Sequence, residues 1–531
     1  MASLDPFEIQ LVKGLAVHCG LSAGEIQAYF SRPDRPVRES LIAAIVQRRA
    51  ATSETDYPTA TPAMCQRFRS TWRDRQYWYD LARLRASAIA LRPSPMEFAF
   101  GYRYHPVGQG GFCSGWFTRR DQSRFHYVYD CGTEHGSKVA PRARVKREIE
   151  ALAVELVGPT GQPLALDLVT LSHFDEDHLS GLTDLITTFR VKRLVLPHLS
   201  PWRRLCVALD KRVTLDSALF TFLEAPTEFL QQRFGDQIEE IVVVGPGGDV
   251  PEGPAVPPDE PPPEGFEPGS EISKILGDVP PEQDDGAGAD GGLGDPRVKR
   301  LRPGQAITID MLWEFVPYND ERLAGVVTDA FKAVARPLVA KVRDHGIDEE
   351  TRTDALRQLQ AHYDRAFRSR KSDPDRARRR NEISLFLYSG PVGRVELLDH
   401  EEYIVRHGLP SIRCWSRNTS RIHEDRFGQM FTGDGYLFDD AEWDAFRTYY
   451  RPGRRLCRAG LFQVPHHGSH KNWAPGRAIL LKPAVSIICS NPTGKYQHPQ
   501  PEVLADFLRW NPRQVDGATG WELLGWFGFK F

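Results

Sequence analysis

Short apolar and alternating stretches recur along the chain from about residue 99 onward. Examples are "FHYVYDCGT", "LALDLVTLS", "EISLFLYSG", "LFQVP" and "AVSIICSN". Such stretches predict β-strands, and the segments between them, with apolar residues at helical spacing, predict helices. We therefore expect a sheet-rich α/β body whose sheets are covered by helices.

The residues before this body have a helical pattern. Three short helices are predicted within 1–50, and Ser22 with Glu25 three residues later forms a capping box for the second. The arrangement, which carries several arginines, resembles a helix-turn-helix. A small docking or dimerisation bundle explains it equally well, so both interpretations stay open. Residues 51–98, with "FRSTWRDRQYWYDLARLR", are predicted to be a helical connector.

Two segments of different composition interrupt the body. Residues 245–300 are rich in Pro, Gly, Asp and Glu, which predicts a disordered acidic insertion. Residues 319–381 predict a helical insertion that ends in the basic run "RAFRSRKSDPDRARRRN". The body itself is then divided between 99–244 and 301–531.

The stretch "LVTLSHFDEDHLSGL", residues 168–182, places an unusual amount of charge after a predicted buried strand. His173, Asp175, Asp177 and His178 would lie on a strand-to-helix loop. Groups crowded in this way shift one another's pKa and repel unless something neutralises them. An ordinary turn needs only one or two such residues, so we interpret the loop as binding a divalent cation, for which imidazole and carboxylate are suitable ligands.

Other predicted strand ends carry matching residues. Asp434 follows a short strand in "MFTGDG", His466 and His467 follow another in "LFQVPHHGSHKNW", and His498 follows a third in "YQHP". Each alone has an ordinary explanation as a turn or loop residue. Together they predict that several strands deliver ligands to one site.

The composition of the chain limits the number of domains, the kinds of metal site and the cellular location that we expect. The 531 residues predict more than one ordinary core, and a net charge of -2 gives no general attraction to polyanions, which would need a local patch. The eight cysteines form no CxxC pair, so neither a disulfide framework nor a thiolate zinc site is expected. The start "MASLDPFEIQ" and the lack of a long apolar run predict a cytoplasmic protein without membrane contact.

The ordered motifs resemble those of the metallo-β-lactamase-fold hydrolases, in particular the branch similar to the metallo-hydrolase domain of bacterial DNA-uptake channel proteins. The motifs are, in order, "HPVGQGGFCSGWF", "VYDCGT", "SHFDEDHLSGL", "NEISLFLYSG", "FTGDG", "VPHHGSHKN" and "YQHP". The resemblance covers about residues 99–200 and 300–531. It implies a four-layer αββα sandwich with two divalent metal ions at one edge, zinc first and manganese as the alternative.

The same resemblance implies a role for each residue. His173 and Asp175 would ligate the first metal and Asp177 and His178 the second, with Asp434 bridging the two. One of His466 and His467, the first in preference, would complete the second site. His498 would contact substrate or ligate, and Asp177, Asp434 and His498 are the predicted catalytic residues.

Two departures from the family pattern concern the first metal. Asp175 stands where the family has a histidine, which supplies a harder oxygen ligand and makes manganese plausible beside zinc. The family's additional histidine between the metal loop and the acidic motif has no clear counterpart, because His198 follows the loop too closely. Occupancy of the first position is therefore an open question.

Two cations about 3.5–4 Å apart would generate hydroxide at neutral pH and stabilise charge on the oxygens of a phosphodiester. We therefore predict a phosphodiesterase or nuclease acting on nucleic acid or nucleotides, with phosphate held by Ser469, Lys471 and Asn472. The N-terminal helices would target nucleic acid or a protein partner, and a role in antiphage defence fits this organisation. Two alternatives remain: a small-molecule (nucleotide or ester) metallo-hydrolase, and a partner-binding regulatory protein with a structural metal site.

Overall fold

The computed structural model of the protein describes most of the chain. The described residues are 4, 6–31, 37–47, 59–60, 62, 65, 97–134, 138–156, 165–247, 276–279, 286–301, 304–319, 327–368, 384–392, 395–406, 414–415, 422 and 425–529. Contacts divide the chain into two units, residues 1–95 and 96–531. No helix among these residues is both long and apolar enough to cross a membrane.

In the described part of the first unit, three short helices surround a small apolar core. They are α1 (Pro6–Cys19), α2 (Ala23–Phe30) and α3 (Glu39–Val46). The predicted capping box of α2 is confirmed: the Ser22 side chain accepts a hydrogen bond from the Glu25 backbone, and the Glu25 side chain accepts one from the Ser22 backbone. Val12, Ile26 and Ile42, one from each helix, are fully buried in this core. The helix-turn-helix and docking interpretations both stay predictions, and the aromatic and basic stretch of the predicted connector lies outside the described residues.

Two sheets form the second unit. Among the described residues the first sheet has 11 strands, in the spatial order β13-β12-β18-β1-β2-β3-β4-β5-β6-β8-β7. Its strands are β1 (Glu97–Tyr104), β2 (Phe112–Thr118), β3 (Arg124–Cys131), β4 (Leu168–Thr170), β5 (Val191–Pro197), β6 (Ile238–Val244), β7 (Leu276–Asp278), β8 (Val298–Leu301), β12 (Val395–Arg406), β13 (Cys414–Trp415) and β18 (Thr519–Phe529). From β3 through β6 to β8 the neighbouring strands are parallel.

The second sheet has seven described strands in the order β17-β16-β15-β14-β11-β10-β9. They are β9 (Ile307–Ile309), β10 (Trp313–Tyr318), β11 (Phe386–Pro391), β14 (Gly428–Phe431), β15 (Ala459–Gln463), β16 (Val485–Cys489) and β17 (Pro512–Val515). Strands β14 to β17 are parallel.

Helices cover the sheets. Those described in this unit are α4 (Val139–Glu155), α5 (Glu176–Leu179), α6 (Leu182–Thr188), α7 (Pro201–Asp210), α8 (Ala218–Glu224), α9 (Pro226–Phe234), α10 (Asp329–Arg343), α11 (Glu349–Tyr363), α12 (Asp440–Tyr450), α13 (Arg455–Arg458), α14 (Ala478–Leu481) and α15 (Pro501–Phe507).

Three apolar cores, built from described residues, define the layers. One contains side chains from both sheets, such as Tyr127 of β3 and Phe315 of β10, and therefore lies between the sheets. A second joins the first sheet to α4 and α6–α11, and a third joins the second sheet to α12 and α15. The predicted four-layer αββα sandwich is therefore confirmed.

The disorder predicted for 245–300 is wrong for part of that segment. Strand β8 pairs in parallel with β6 over Ile241–Val244, and β7 pairs antiparallel with β8. Val298 and Leu301 are buried in the two cores on either side of the sheet. This packing stabilises the strand, but the sequence of four residues is too short to predict it. Residues 248–275 and 280–285 lie outside the described residues.

The predicted helical insertion, residues 319–381, contains α10 and α11. Both helices begin with a side-chain cap, from Thr328 and Asp348 respectively. They bury Phe331 and Leu359 in the core that covers the first sheet. Most of the basic run that ends the segment lies outside the described residues.

Candidate metal centre

The candidate residues follow the carboxyl ends of parallel strands in both sheets. Asp130 is near the end of β3, the histidine and aspartate loop follows β4, Asp434 follows β14, and the histidine pair follows β15. Parallel strands bring their carboxyl ends to one edge, where polar groups from separate strands can meet. The topology thus explains how residues about 260 positions apart in sequence, such as His178 and Asp434, come within 3.1 Å.

Four residues form the tightest group. The ligand atoms of Asp177, His178, Asp434 and His467 all lie within 4.8 Å of one another. His178 Nε2 is 3.1 Å from Asp434 Oδ1, and His467 Nε2 is 3.0 Å from Asp177 Oδ2. Two carboxylates and two imidazoles in this arrangement suit a divalent cation such as zinc or manganese.

A second group consists of His173, Asp175 and Asp177 and shares Asp177 with the first. His173 Nε2 lies 3.9 Å from Asp175 Oδ2 and 3.8 Å from Asp434 Oδ2. That nitrogen is buried and has no hydrogen-bond partner among the described residues, whereas His173 Nδ1 is 2.8 Å from Ser172 Oγ. A buried, unsatisfied nitrogen beside two carboxylates fits a position that a ligand or cation completes.

The histidine pair differs from the prediction. The sequence analysis preferred His466, but in the structure His467 belongs to the four-residue group and His466 does not, so which of the two ligates stays a prediction. His467 Nδ1 is 2.5 Å from the Cys489 carbonyl, so the ring presents Nε2 to the group. His466 Nε2 lies 3.5 Å from Asp434 Oδ2, at the edge of the four-residue group.

The backbone of the histidine pair has an unusual conformation. His466 and His467 have φ values of 45° and 58°, in the left-handed region that non-glycine residues rarely adopt. Sequence alone does not indicate that these two positions adopt this conformation, so it does not indicate which ring faces the four-residue group.

Two glycines permit the close approach of the loops. Gly433 has a φ of 49°, and a Cβ there would come within 2.8 Å of Ser172 Cβ on the metal loop. A Cβ on Gly132 would lie 2.6 Å from the backbone of both Asp177 and His178. Glycine is required where backbones pack this closely.

Asp130 is a residue of the site that the sequence analysis missed. Its Oδ2 is 2.7 Å from His178 Nδ1, and its Oδ1 accepts a hydrogen bond from the Ser172 backbone at 2.7 Å. A carboxylate on the far nitrogen of a ligating histidine fixes the tautomer and the ring orientation. The signal available in sequence was its place in "VYDCGT", at the end of a strand beside the metal loop.

The group attracts positive charge. Burial alone would raise the pKa of Asp177, but His178 and the hydrogen bond with His467 lower it below its ordinary value. Burial likewise opposes the charged form of His178, yet Asp130, Asp177 and Asp434 raise the pKa of that histidine well above normal. Carboxylates that outweigh burial in this way make a pocket of negative potential suited to a cation.

The predicted phosphate-binding residues have different positions. Lys471 is exposed, and its ammonium has no ion-pair partner in the described part of the chain. Ser469 is buried and its Oγ accepts a hydrogen bond from the Lys471 backbone at 3.3 Å. Asn472 is buried and donates its amide to the carbonyls of Asp434 and Gly435, so it holds the acidic loop and is not available to phosphate as predicted.

His498 lies beside the group without joining it. Its ring centroid is 6.1 Å from that of His466, and its Nδ1 is 3.4 Å from Gln109 Nε2. Burial, followed by the neighbouring His467 and His466, lowers the pKa of His498 to about 4. The ring is therefore neutral at neutral pH.

No protein-family model and no curated protein matches the chain. Among solved structures, the metallo-β-lactamase-fold protein YhfI from Bacillus subtilis is 9% identical, with 80% of this chain and 99% of that chain covered and a TM-score of 0.28. The metallo-β-lactamase SMB-1, bound to 2-mercaptoethanesulfonate, is 13% identical, with 49% and 92% covered and a TM-score of 0.15. At these scores neither likeness carries an argument, and the fold rests on the layers and strand order described above. The likeness to the DNA-uptake branch stays a prediction.

Proposed function

We propose that the protein is a metal-dependent hydrolase that cleaves phosphodiester bonds in nucleic acid or nucleotides. The observation that carries the proposal is the convergence of Asp177, His178, Asp434 and His467 at one edge of the sandwich. These are hard oxygen and imidazole ligands with no cysteine, whereas closed structural zinc sites usually contain thiolates.

A bound divalent cation would lower the pKa of a water ligand and stabilise negative charge on the oxygens of the cleaved bond. The chain's own residues supply the rest. Asp177 and Asp434 would hold the cation, and Asp130 and the Cys489 carbonyl would orient the histidines that complete its coordination. His498, whose pKa is lowered to about 4, is neutral at neutral pH and can accept a hydrogen bond beside the site.

Lys471 supports a phosphate-containing substrate. Its exposed ammonium follows His467 by four residues and is not engaged by any described acid, so it is available to an anionic oxygen. Asn472 does not contribute to this argument because its amide is engaged with the backbone. An antiphage role and a cytoplasmic location stay predictions.

The test is hydrolysis of bis-p-nitrophenyl phosphate and of labelled single- and double-stranded DNA and RNA, with added zinc or manganese. The wild type is compared with Asp177→Ala, and Asp121→Ala serves as the control because Asp121 is an exposed turn residue outside both ligand groups. We expect metal-dependent cleavage that Asp177→Ala abolishes and Asp121→Ala retains.

Cleavage of a nucleotide or carboxylic ester without any polynucleotide cleavage would favour the small-molecule alternative. Bound metal without hydrolysis of any ester or diester would overturn the proposed activity and favour the regulatory alternative.

A further inference from the structure

Lys211 places a positive charge at the edge of the candidate metal centre. The residue caps the carboxyl end of α7, and its ammonium makes an ion pair and a hydrogen bond with Asp175 Oδ2. The Asp175 side chain is only 15% exposed and that of Lys211 is 32% exposed, so the pair is partly shielded from water. The carboxylate predicted to ligate the first metal is thus already neutralised by the chain.

The two ligand groups differ in how many ligands are uncommitted. In the four-residue group, neither Asp177 nor Asp434 forms an ion pair with a lysine or arginine of the described residues. In the second group, Asp177 is shared with the first and Asp175 is held by Lys211. Of its three residues, only His173 is neither shared with the first group nor paired with a lysine or arginine of the described residues. Catalytic zinc sites usually have three protein ligands, so the second group offers too few ligands of its own for a second zinc ion.

The positive charge of Lys211 is a second argument against a cation in the second group. Asp175 Oδ2, which contacts the ammonium, is also the oxygen 3.9 Å from His173 Nε2. A cation placed between that oxygen and that nitrogen would lie close to the ammonium. The repulsion between these charges in a partly buried site would weaken binding strongly.

We propose that the protein binds a single divalent cation, at Asp177, His178, Asp434 and His467, and that the Lys211 ammonium supplies the second positive charge in place of another metal. This inference rests on the metal centre of the proposed function but not on which bond is cleaved. It replaces the predicted two-metal centre and assigns a role to the substitution of aspartate for histidine at position 175.

The test is metal stoichiometry, measured by equilibrium dialysis of the full chain against zinc and separately against manganese, followed by elemental analysis. We expect one equivalent per chain in the wild type and in Lys211→Arg, which keeps the charge. In Lys211→Met the aliphatic stem remains but the charge is lost, and we expect a second equivalent to bind at least about tenfold more tightly than in the wild type. Lys192→Met is the matched control, because Lys192 pairs with Asp167 outside both ligand groups. This variant should bind one equivalent of metal, like the wild type.

Circular dichroism would show that each variant is folded, and Lys211→Gln is a second neutral variant should Lys211→Met fold poorly. Two tightly bound equivalents in the wild type would overturn the inference, and so would a single equivalent in folded Lys211→Met and Lys211→Gln. A wild type that binds no metal would overturn both the inference and the proposed function. One bound equivalent without hydrolysis would contradict the function alone.

Discussion

Asp130 shows how one side chain organises the metal loop. It is fully buried and contacts Ser172 and His178, so it joins the start of the loop to its end. Its own φ of 54° is in the left-handed region, which indicates that the surrounding contacts determine its position.

We predict that Asp130→Asn weakens binding of zinc or manganese by about 10- to 100-fold, the usual effect of removing a carboxylate behind a ligating histidine. The amide keeps the shape of the side chain but loses the charge that polarises His178. Isothermal titration of metal into the variant and into the control Asp121→Asn measures the difference. Equal affinities in the variant, the control and the wild type would show that Asp130 has no part in metal binding.

The buried side chain of His126 predicts how the stability of the protein depends on pH. The side chain is buried, its Nε2 has no hydrogen-bond partner in the part of the chain that the structure describes, and burial lowers its pKa to about 4. Between that value and the ordinary 6.5, the unfolded chain binds a proton that the folded chain does not, so stability falls as the pH falls.

Because of the lowered pKa of His126, the free energy of unfolding of the wild type should decrease by about 2 kcal/mol between pH 7 and pH 5. His126→Leu should lack that loss, so the difference between the two proteins should change in favour of the variant at pH 5. Urea denaturation at both pH values measures it. A difference independent of pH would mean that the histidine titrates normally in the folded protein.

Much of the residue-level site could be predicted from sequence, because the ligand types cluster in short motifs. The order of His466 and His467 could not, since it depends on two left-handed residues in succession. Nor could the roles of Asn472 and Lys211, which depend on contacts with Asp434 and Asp175 from other loops.

At the scale of elements, Arg455 joins the short helix α13 to strand β10. Its guanidinium makes two hydrogen bonds with Glu314, at 2.9 and 2.8 Å, and both side chains are almost completely buried. A buried pair of this kind contributes little against an apolar replacement, but either charge left alone is costly.

We predict that Glu314→Met or Arg455→Met alone destabilises the protein by about 3–5 kcal/mol, and that the double variant is destabilised by less than the sum. Chemical denaturation of the four proteins measures this coupling. Additive effects would show that the two charges do not depend on each other.

Helices and strands were predictable where the apolar pattern was long. They were not predictable where tertiary packing, rather than local sequence, determines the structure. The strand-to-helix loop after β4 was predictable because an apolar run precedes it and helical spacing follows. Strand β8 was not, because it has four residues, and it is parallel sheet pairing with β6 and burial of Val298 and Leu301 that stabilise it.

At the scale of the whole molecule, the two units have separate apolar cores among the described residues, one in the first unit and three in the second. The core of the first unit contains residues between Leu4 and Cys65, and the three cores of the second contain only residues after 97. A unit with a complete core can fold alone. The sandwich was predictable from motif order, whereas the roles of the first 95 residues were not, since their pattern is shared by several kinds of small helical unit.

We predict that the fragment 96–531 folds and binds the same number of metal equivalents as the full chain. Its helix content by circular dichroism and its metal content by elemental analysis provide the check. An aggregated or metal-free fragment would show that the second unit depends on the first.

The central claim is that Asp177, His178, Asp434 and His467 hold a divalent cation required for hydrolysis. The most direct measurement titrates the metal-free protein with manganese or zinc and follows bound metal and bis-p-nitrophenyl phosphate hydrolysis in the same samples. We predict that the rate rises in proportion to bound metal, and that Asp434→Asn lowers both. Hydrolysis that persists without metal, or an Asp434→Asn variant that retains both binding and rate, would contradict the account.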